Sequence, residues 1–534
     1  MISEQPRFPW WIPAGGLLLA ALYLPTLATP FDFIDDGNLV YPAASGLGFV
    51  GHVELWWEKV EANYEHLGPF RPTLWVQWQI QANLFGGDPF LWRLQRLAWC
   101  ALAATMLLWL FRELKVHPVA ALFAGALAMW NPFRNEVWTS LTLAEGVAMP
   151  YAFFALVAAR KAAASPRPLK WEIASALAVF VALGCKNTFA ALVPAQILLR
   201  MWPDGATLRE AWKQNGHRSL ALGVTLVMPV AHFVYFKQHW HPGQYETHPA
   251  SFEQLLRIVS LLRGTMSLEF LAAGLVLSGI CLWKSKNASP LSEEGEPDTS
   301  PPSLLGKGAG GLGNSAAAAL LLLIGGVVVY LPMNMIAGRY AMPAVWGLDI
   351  LFALLLTALV AAPLTVWKKA AFATVCAGLA IVAISNVGRQ EKFAARSKML
   401  WEAVHYVEAN VPPGTRIAWV SGDSTKGGLN IEEGIHFQWH LYHRGRGDLA
   451  IGLFDESGMP MERVELPPLA GEPGFALSGK VVQPPGWEPE RDFAANYWLG
   501  RKSYECRMTR RLPGGFVAIL RDPGKEQFLG VVLP

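Results

Sequence analysis

Residues 172–199 read EIASALAVFVALGCKNTFAALVPAQILL, two apolar runs on either side of Lys186. This stretch decides how the chain is threaded. As one helix it is long enough to cross a bilayer, which takes ~20 apolar residues, with Lys186 at its centre. As two short helices it is a hairpin with Lys186-Asn187 at the apex. The flanks choose between them. Arg160, Lys161, Arg167 and Lys170 precede it, and Arg200, Arg209, Lys213 and Arg218 follow. Basic flanks stay on the cytoplasmic side, so both ends share a side and the crossings between them are even. The hairpin is the expected form.

Further apolar runs occupy 11–29, 97–111, 117–133, 142–159, 219–236, 265–283, 315–333, 341–362 and 369–385. Basic residues alternate with them, and about eleven membrane segments result, with the N-terminus cytoplasmic and the C-terminus outside. Pro25 and Pro30 make a poor cleavage site after the first run, so it reads as a retained signal anchor. Composition agrees. Of 534 residues, 53% are hydrophobic and 16% charged, where a soluble enzyme carries about 25% charge. The 23 tryptophans suit membrane-interface belts. A net charge of +3 argues against a nucleic-acid partner. No CxxC or Cys/His cluster occurs, so neither structural zinc nor a disulfide framework is expected.

Residues 284–314 are rich in Pro, Gly, Ser and acids and read as a cytoplasmic linker. Beyond about residue 390 the composition turns soluble. A helix is expected around Trp401–Val407, a strand over Arg416–Val420, a turn at Ser421–Asp423, and a helix over Glu432–Tyr442. Phe475–Val482 and Phe516–Arg521 read as strands. The fold class is thus a polytopic α-helical membrane protein, a transmembrane domain over 1–389, followed by a small extracytoplasmic α/β domain over 390–534.

The first outer loop, 31–95, carries the chemistry. It opens Phe31-Asp32-Phe33-Ile34-Asp35-Asp36, placing three carboxylates where the chain leaves the membrane. Carboxylates there can act as a general base, hold a divalent ion or bind a cation; the bland alternative is an ordinary acidic loop. A Trp-rich amphipathic stretch follows: Trp56, Trp57, then FRPTLWVQW over 70–78, then LFGGDPFLWRLQRL over 84–97. It is expected to lie along the surface as interfacial helices. Charged groups at the outer helix ends are Asp35, Asp36, Arg71, Arg93, Arg134, Glu136, Lys186 and Arg339. Snorkelling accounts equally for Arg93 and Arg96. Lys186 is less easily explained, since it has no flanking charge, and a lysine there could neutralise a phosphate.

The Asp-Asp pair, the Arg-Pro helix and the run LFGGDPFLWRLQRL, in that order, resemble the GT-C superfamily of membrane glycosyltransferases. The similarity is to the branch of transmembrane and tetratricopeptide-repeat O-mannosyltransferases and their bacterial relatives. Asn131-Pro132-Phe133-Arg134-Asn135-Glu136-Val137-Trp138, Gly184-Cys185-Lys186-Asn187-Thr188 and Arg339-Tyr340-Ala341-Met342-Pro343 resemble three further steps of that branch. Asn187 stands where the branch has an acid, the Pro343 step is one place early, and no tetratricopeptide repeats follow. The resemblance spans roughly residues 11–385. It implies an inverting transfer of a sugar from a polyprenyl-phosphate donor, on the extracytoplasmic face of a bacterial inner membrane, to a protein, lipid or envelope-glycan acceptor. It implies Asp35 and Asp36 as catalytic, with Asp35 favoured as the base and Asp36 as its neighbour in metal or substrate contact, and Arg71, Arg93, Glu136, Lys186, Arg339 and Tyr340 as substrate-binding. A divalent cation, Mg or Mn, is left open. The alternative is a transporter or flippase of a lipid-linked glycan, although only one broken helix is visible where a transporter tends to show a matched pair.

Other residues weigh differently. Glu145 and Glu269 read as interfacial or paired, and Asp349 as functional or paired across helices. His232, His239, His241 and His248 read as loop polarity. His436, His440 and His443, spaced i, i+4 and i+7, read as a solvated helix face in preference to a metal site.

Overall fold

The structure, a computed structural model, describes residues 8–33, 36, 39–40, 50–51, 53–57, 60, 70–203, 206–231, 234, 251–265, 310–331, 342–361, 366–413, 416–420, 431–446, 449–454, 493–499, 502–508, 516–522 and 527–533. Six helical segments among them are long and apolar enough to cross a membrane: Trp11–Ala28, Pro89–Glu113, Ala144–Ala164, Pro168–Cys185, Met342–Val360 and Lys369–Asn410. Two shorter apolar helices, Pro118–Trp130 and Gly313–Val328, accompany them. The chain is a polytopic helical membrane protein. Six long apolar helices and two shorter ones are present among the described residues; the expected count of eleven includes segments, such as 266–283, that lie outside them.

In chain order the helices used below are α1 (Trp11–Ala20, continued as a 3-10 turn to Ala28), α2 (Pro72–Phe85), α3 (Pro89–Glu113), α4 (Pro118–Trp130), α5 (Ala144–Ala164) and α6 (Pro168–Cys185). Then come α7 (Leu192–Met201), α8 (Leu208–Ala221), α9 (Phe252–Thr265), α10 (Gly310–Val328), α11 (Met342–Ala361), α12 (Val366–Asn410) and α13 (Ile431–His443). Proline opens α2, α3, α4 and α6. Its missing N–H is no loss there, because a first-turn amide has no intrahelical partner. Asp88 caps α3 by accepting from the Phe90 amide at 2.9 Å. α10 begins at Gly310, inside the stretch expected to be linker.

The hairpin at Lys186 is present. Lys186 is extended (φ −160°, ψ 123°) and separates α6 from a 3-10 turn, Asn187–Ala191, that leads into α7. Gln196 donates to Ser175 Oγ at 2.7 Å, and Arg200 pairs with Glu172 at 2.6 Å. These contacts pair positions nearly equidistant from Lys186, so the two helices run antiparallel. Ser175 in turn donates to the Ala155 carbonyl at 2.7 Å, fastening the hairpin to α5.

Polar side chains collect at the two ends of the bundle. At one end Arg160 donates to the carbonyls of Trp202 (3.1 Å) and Glu113 (3.5 Å), Lys161 pairs with Glu113 at 3.5 Å, and Asn314 donates to Trp202 O at 2.8 Å. At the other, Tyr23 donates to Met129 O (2.6 Å), and Asn386 donates to Trp130 O (2.8 Å) and Tyr23 Oη (3.0 Å). The body between is apolar, built around Leu107, Leu108, Phe153, Leu156 and Trp346.

α12 runs unbroken through residues 389 and 390, so the last span and the helix expected at Trp401–Val407 are one element. Beyond it stand β1 (Arg416–Val420), β2 (Ala450–Phe454), β3 (Phe493–Leu499), β4 (Lys502–Met508), β5 (Phe516–Asp522) and β6 (Gln527–Leu533). One sheet has the order β2-β1-β5-β6, with β1 parallel to both neighbours and β5–β6 antiparallel; β3 and β4 form a separate antiparallel ribbon. The strand expected over Phe475–Val482 and the turn at Ser421–Asp423 lie outside the described residues. Met399, Leu400, Val404, Trp419, Phe437 and Phe33 share a second core, which joins the first loop to α12, β1 and α13.

Candidate active site

The loop leaving the first span is held by side chains from other helices. Arg93, fully buried on the first turn of α3, donates to Thr29 O (3.3 Å), Pro30 O (2.8 Å) and Thr139 O. It clamps that loop to the turn before α5. Arg96, one helical turn on, donates to Leu143 O at 3.2 Å and to Leu141 O. Gly146 permits this, because a Cβ there would strike the Arg96 guanidinium. Snorkelling predicts exposed guanidinium groups, yet both arginines are buried, 0% and 5% exposed.

Asp36 lies inside the loop, fully buried. Its Oδ2 accepts from the Asp32 amide at 2.7 Å, and Asp32 Oδ1 accepts from the Phe33 amide at 2.8 Å. Arg93 and Arg96 both lie within electrostatic reach of Asp36. Burial raises the Asp32 carboxyl above its ordinary value, and Arg396 partly offsets this.

Lys186 is not the exposed, isolated cation that its surroundings in sequence suggest. It is buried and ion-paired with Glu145 of α5, which also lies within reach of Arg96. The start of α2 sits over this apex: a Cβ at Gly184 would strike Thr73 Oγ1, and Arg71 lies within electrostatic reach of Cys185. Arg71 Nε is buried without a hydrogen-bond partner among the described residues. Asp36, Arg93, Arg71 and Lys186 therefore come together at one end of the bundle, along with Arg96 and Glu145. Glu136 is exposed on the short helical turn Glu136–Thr139 and is not among these buried charges. Asp35, Arg339 and Tyr340 lie outside the described residues, as do Glu269, His232, His239, His241 and His248. Asp349 is paired across helices: Arg134 holds it through two bonds, 2.8 and 3.2 Å.

α2 carries apolar side chains on its outer as well as its inner side. Val76, Ile80 and Leu84 form an exposed ridge at i, i+4 and i+8, while Gln79 and Gln81 are buried. The exposed ridge suits a helix bedded in lipid; Leu74, Trp75, Trp78 and Ala82 are buried beside the two amides.

The histidine face of α13 is buried, which corrects the expectation of a solvated one. His440 is 1% and His436 6% exposed. The His440 ring stacks on Phe33 at 4.9 Å and lies 5.2 Å from Trp401. Glu433 of the same helix pairs with Arg396. The i, i+4, i+7 spacing marked one face; what covers that face was not local information. Among the described residues no group of three or more His, Cys, Asp or Glu side chains is placed to hold a metal ion.

No family model matches the chain, and no curated protein does. Among solved structures, the chain is similar to ArnT from Cupriavidus metallidurans bound to undecaprenyl phosphate, with 14% identity, TM-score 0.43, and coverage of 83% of this chain and 86% of that one. It is also similar to the archaeal oligosaccharyltransferase AglB from Archaeoglobus fulgidus, in complex with an inhibitory peptide and a dolichol-phosphate, with 11% identity and TM-score 0.44. That match covers 82% of this chain and 64% of AglB. An A. fulgidus oligosaccharyltransferase with Zn and sulfate matches at 13% identity and TM-score 0.41. Neither protein is described as a member of the O-mannosyltransferase branch. At these TM-scores the likeness carries no argument about function.

Proposed function

We propose that the chain is an inverting membrane glycosyltransferase that moves a sugar from a polyprenyl-phosphate donor to an acceptor hydroxyl or amide on the extracytoplasmic face. One observation supports this reading: buried Asp36 lies within electrostatic reach of Arg93 and Arg96 at the end of the bundle over which α2 begins. A carboxylate there can take the acceptor proton while the acceptor displaces the phosphate at the anomeric carbon. The phosphate leaves with the bonding electron pair, and cations at this end neutralise it.

Arg93 spends its donors on three carbonyls and positions the loop that bears the acids. Lys186 is compensated by Glu145 and holds the apex of the hairpin. Arg71 offers an unpartnered nitrogen and becomes the better phosphate contact; Arg339 and Tyr340 keep the donor-binding role that the resemblance implies. The C-terminal strands and α13 form the small extracytoplasmic domain that follows residue 390.

The test uses the full chain reconstituted in nanodiscs with undecaprenyl-phosphate hexoses, undecaprenyl phosphate being the carrier present in the ArnT structure. Released undecaprenyl phosphate is measured by chromatography, with a membrane extract as acceptor. Loss of a general base lowers the rate by ~10²–10⁴, and that is the expected effect of Asp36→Asn. If Asp35→Asn and Asp36→Asn both turn over normally, the base assignment is wrong. Movement of intact donor across the bilayer without cleavage would favour a flippase.

A further inference from the structure

Two neighbouring peptide groups link the chain beyond residue 390 to Asp36. A trans peptide is planar, with its C=O and N–H on opposite edges. Holding the oxygen therefore aims the N–H the other way. In the Phe31–Asp32 peptide, the carbonyl accepts from Trp401 Nε1 of α12 at 2.9 Å, and the amide donates to Asp36 Oδ2 at 2.7 Å. In the Asp32–Phe33 peptide, the carbonyl accepts from the His440 ring of α13, and the amide donates to Asp32 Oδ1 at 2.8 Å.

This grip is buried. Phe31 and Phe33 are fully enclosed. The His440 ring lies 5.4 Å from Phe31 and stacks on Phe33 at 4.9 Å. A carbonyl shut away from water has no substitute for a lost donor. Hydrogen bonds in a chain also polarise one another. A donor on the Phe31 carbonyl thus makes the Asp32 N–H a stronger donor to the Asp36 carboxylate.

α13 is fixed at both ends. Near its start Glu433 pairs with Arg396, which lies within electrostatic reach of Asp32. At its last residue His443 abuts the turn between α2 and α3, where a Cβ on Gly87 would strike its ring. The helix therefore bridges the loop that bears Asp36 and the turn that leads to Arg93.

We propose that Trp401 and His440 are positioning residues for Asp36, orienting its carboxylate through these two peptide groups, so that the chain beyond residue 390 completes the site. Both side chains act through backbone, and the proton stays with Asp36. The proposal deepens the reading of Asp36 as a base and rests on it.

Two substitutions test it in the full chain. Trp401→Phe keeps a ring and removes the N–H; His440→Phe keeps the stack and removes the donor. Each is made alone and together with Asp36→Asn, and reconstituted in nanodiscs with radiolabelled undecaprenyl-phosphate hexoses so that single turnovers can be followed. Unchanged hydrogen exchange over α5 marks a folded variant. In either single variant, exchange of the 31–36 amides should quicken. kcat should fall about tenfold, the scale of a buried hydrogen bond left unmade. Donor KM and affinity for citronellyl phosphate, a short lipid phosphate, should not change. In the Asp36→Asn background the same substitutions should add almost no further loss, because groups that act as a unit are non-additive. An equal loss in both backgrounds would mean a role in stability alone and would overturn the proposal. So would an unchanged kcat in both single variants. Exchange as slow as in the parent, in both folded variants, would show that the peptides are not gripped, and the base assignment would survive. Normal turnover by Asp36→Asn would remove the base and the positioning role with it.

Discussion

Lys186 and Glu145 are a nearly solvent-free ion pair at the tip of a helical hairpin. Removing one member of such a pair leaves the other buried without that partner, which costs up to about 3–5 kcal/mol, whereas replacing both with apolar groups is often neutral. Lys186→Met is therefore expected to lower the thermal midpoint of the detergent-solubilised protein, and Lys186→Met combined with Glu145→Leu to restore most of it. A single variant as stable as the parent would show that the pair is not formed. Arg71 calls for the opposite pattern. It is only half-buried and its Nε has no hydrogen-bond partner among the described residues, so Arg71→Gln should change stability by no more than about 0.5 kcal/mol. It should weaken citronellyl phosphate binding about tenfold or more, as loss of a charged hydrogen bond does. Unchanged affinity would take Arg71 out of the phosphate contact. The two residues looked alike in the sequence, each a lone cation near an outer helix end; only their tertiary partners separate them.

Elements were legible in the sequence where their signals are local, and illegible where burial depends on distant chain. The basic flanks of 172–199 and the apolar runs gave the hairpin and the spans, because hydropathy and flanking charge act within a few residues. Asp36 and Arg93 came from the order of short motifs. Arg96 was dismissed because an arginine one turn into a span snorkels unless something distant receives it, and here the Leu141 and Leu143 carbonyls do. The join of the last span to Trp401–Val407 was missed because a change of composition at about residue 390 changes the solvent of a helix, not its backbone. The histidine face of α13 has the same lesson and a measurable consequence. Burial pushes His440 well below the ordinary imidazole value of 6.5, with His436 and His443 adding to the effect, and His443 is also lowered. In the undocked state these rings protonate from 6.5 downward while the docked rings stay neutral. The undocked state then binds more protons, and docking stability falls as pH drops below 6.5. Asp32 acts in the opposite sense, since protonation relieves its buried charge, but over a window that starts at 3.8 and runs up to its raised value. The pairs Arg396–Glu433 and Arg444–Glu408 border the same face. Hydrogen exchange over residues 431–443, corrected for intrinsic rate, should accelerate between pH 7.5 and 5.5. His440→Phe should flatten the response. A pH-independent α13 would mean that the face is not buried against the first loop.

At the scale of the whole molecule, the two polar ends of the bundle do different work. One end is cross-braced by Arg160, Lys161, Arg200 and Asn314 onto backbone and carboxylates, and its neighbouring segments are rich in Lys and Arg. The other holds Asp36, Arg93, Arg96 and the Lys186–Glu145 pair, is roofed by α2, and continues through α12 into the strands. The positive-inside rule assigns the first end to the cytoplasm, and a donor carried on a lipid can reach the second end from within the bilayer. Threading fixes both ends together, because a long α12 that begins beside α4 and passes Trp130, Pro132 and Phe31 in turn cannot return. One accessible cysteine at each end therefore tests the entire arrangement. Lys213 on α8 and Glu402 on α12 are both exposed. In a background where the five native cysteines are replaced, Glu402→Cys should react with a membrane-impermeant maleimide added to intact spheroplasts. Lys213→Cys should react only after permeabilisation. The reverse pattern would turn the buried carboxylate and its cations toward the cytoplasm, and transfer from an extracytoplasmic lipid-phosphate sugar would then have no route to Asp36.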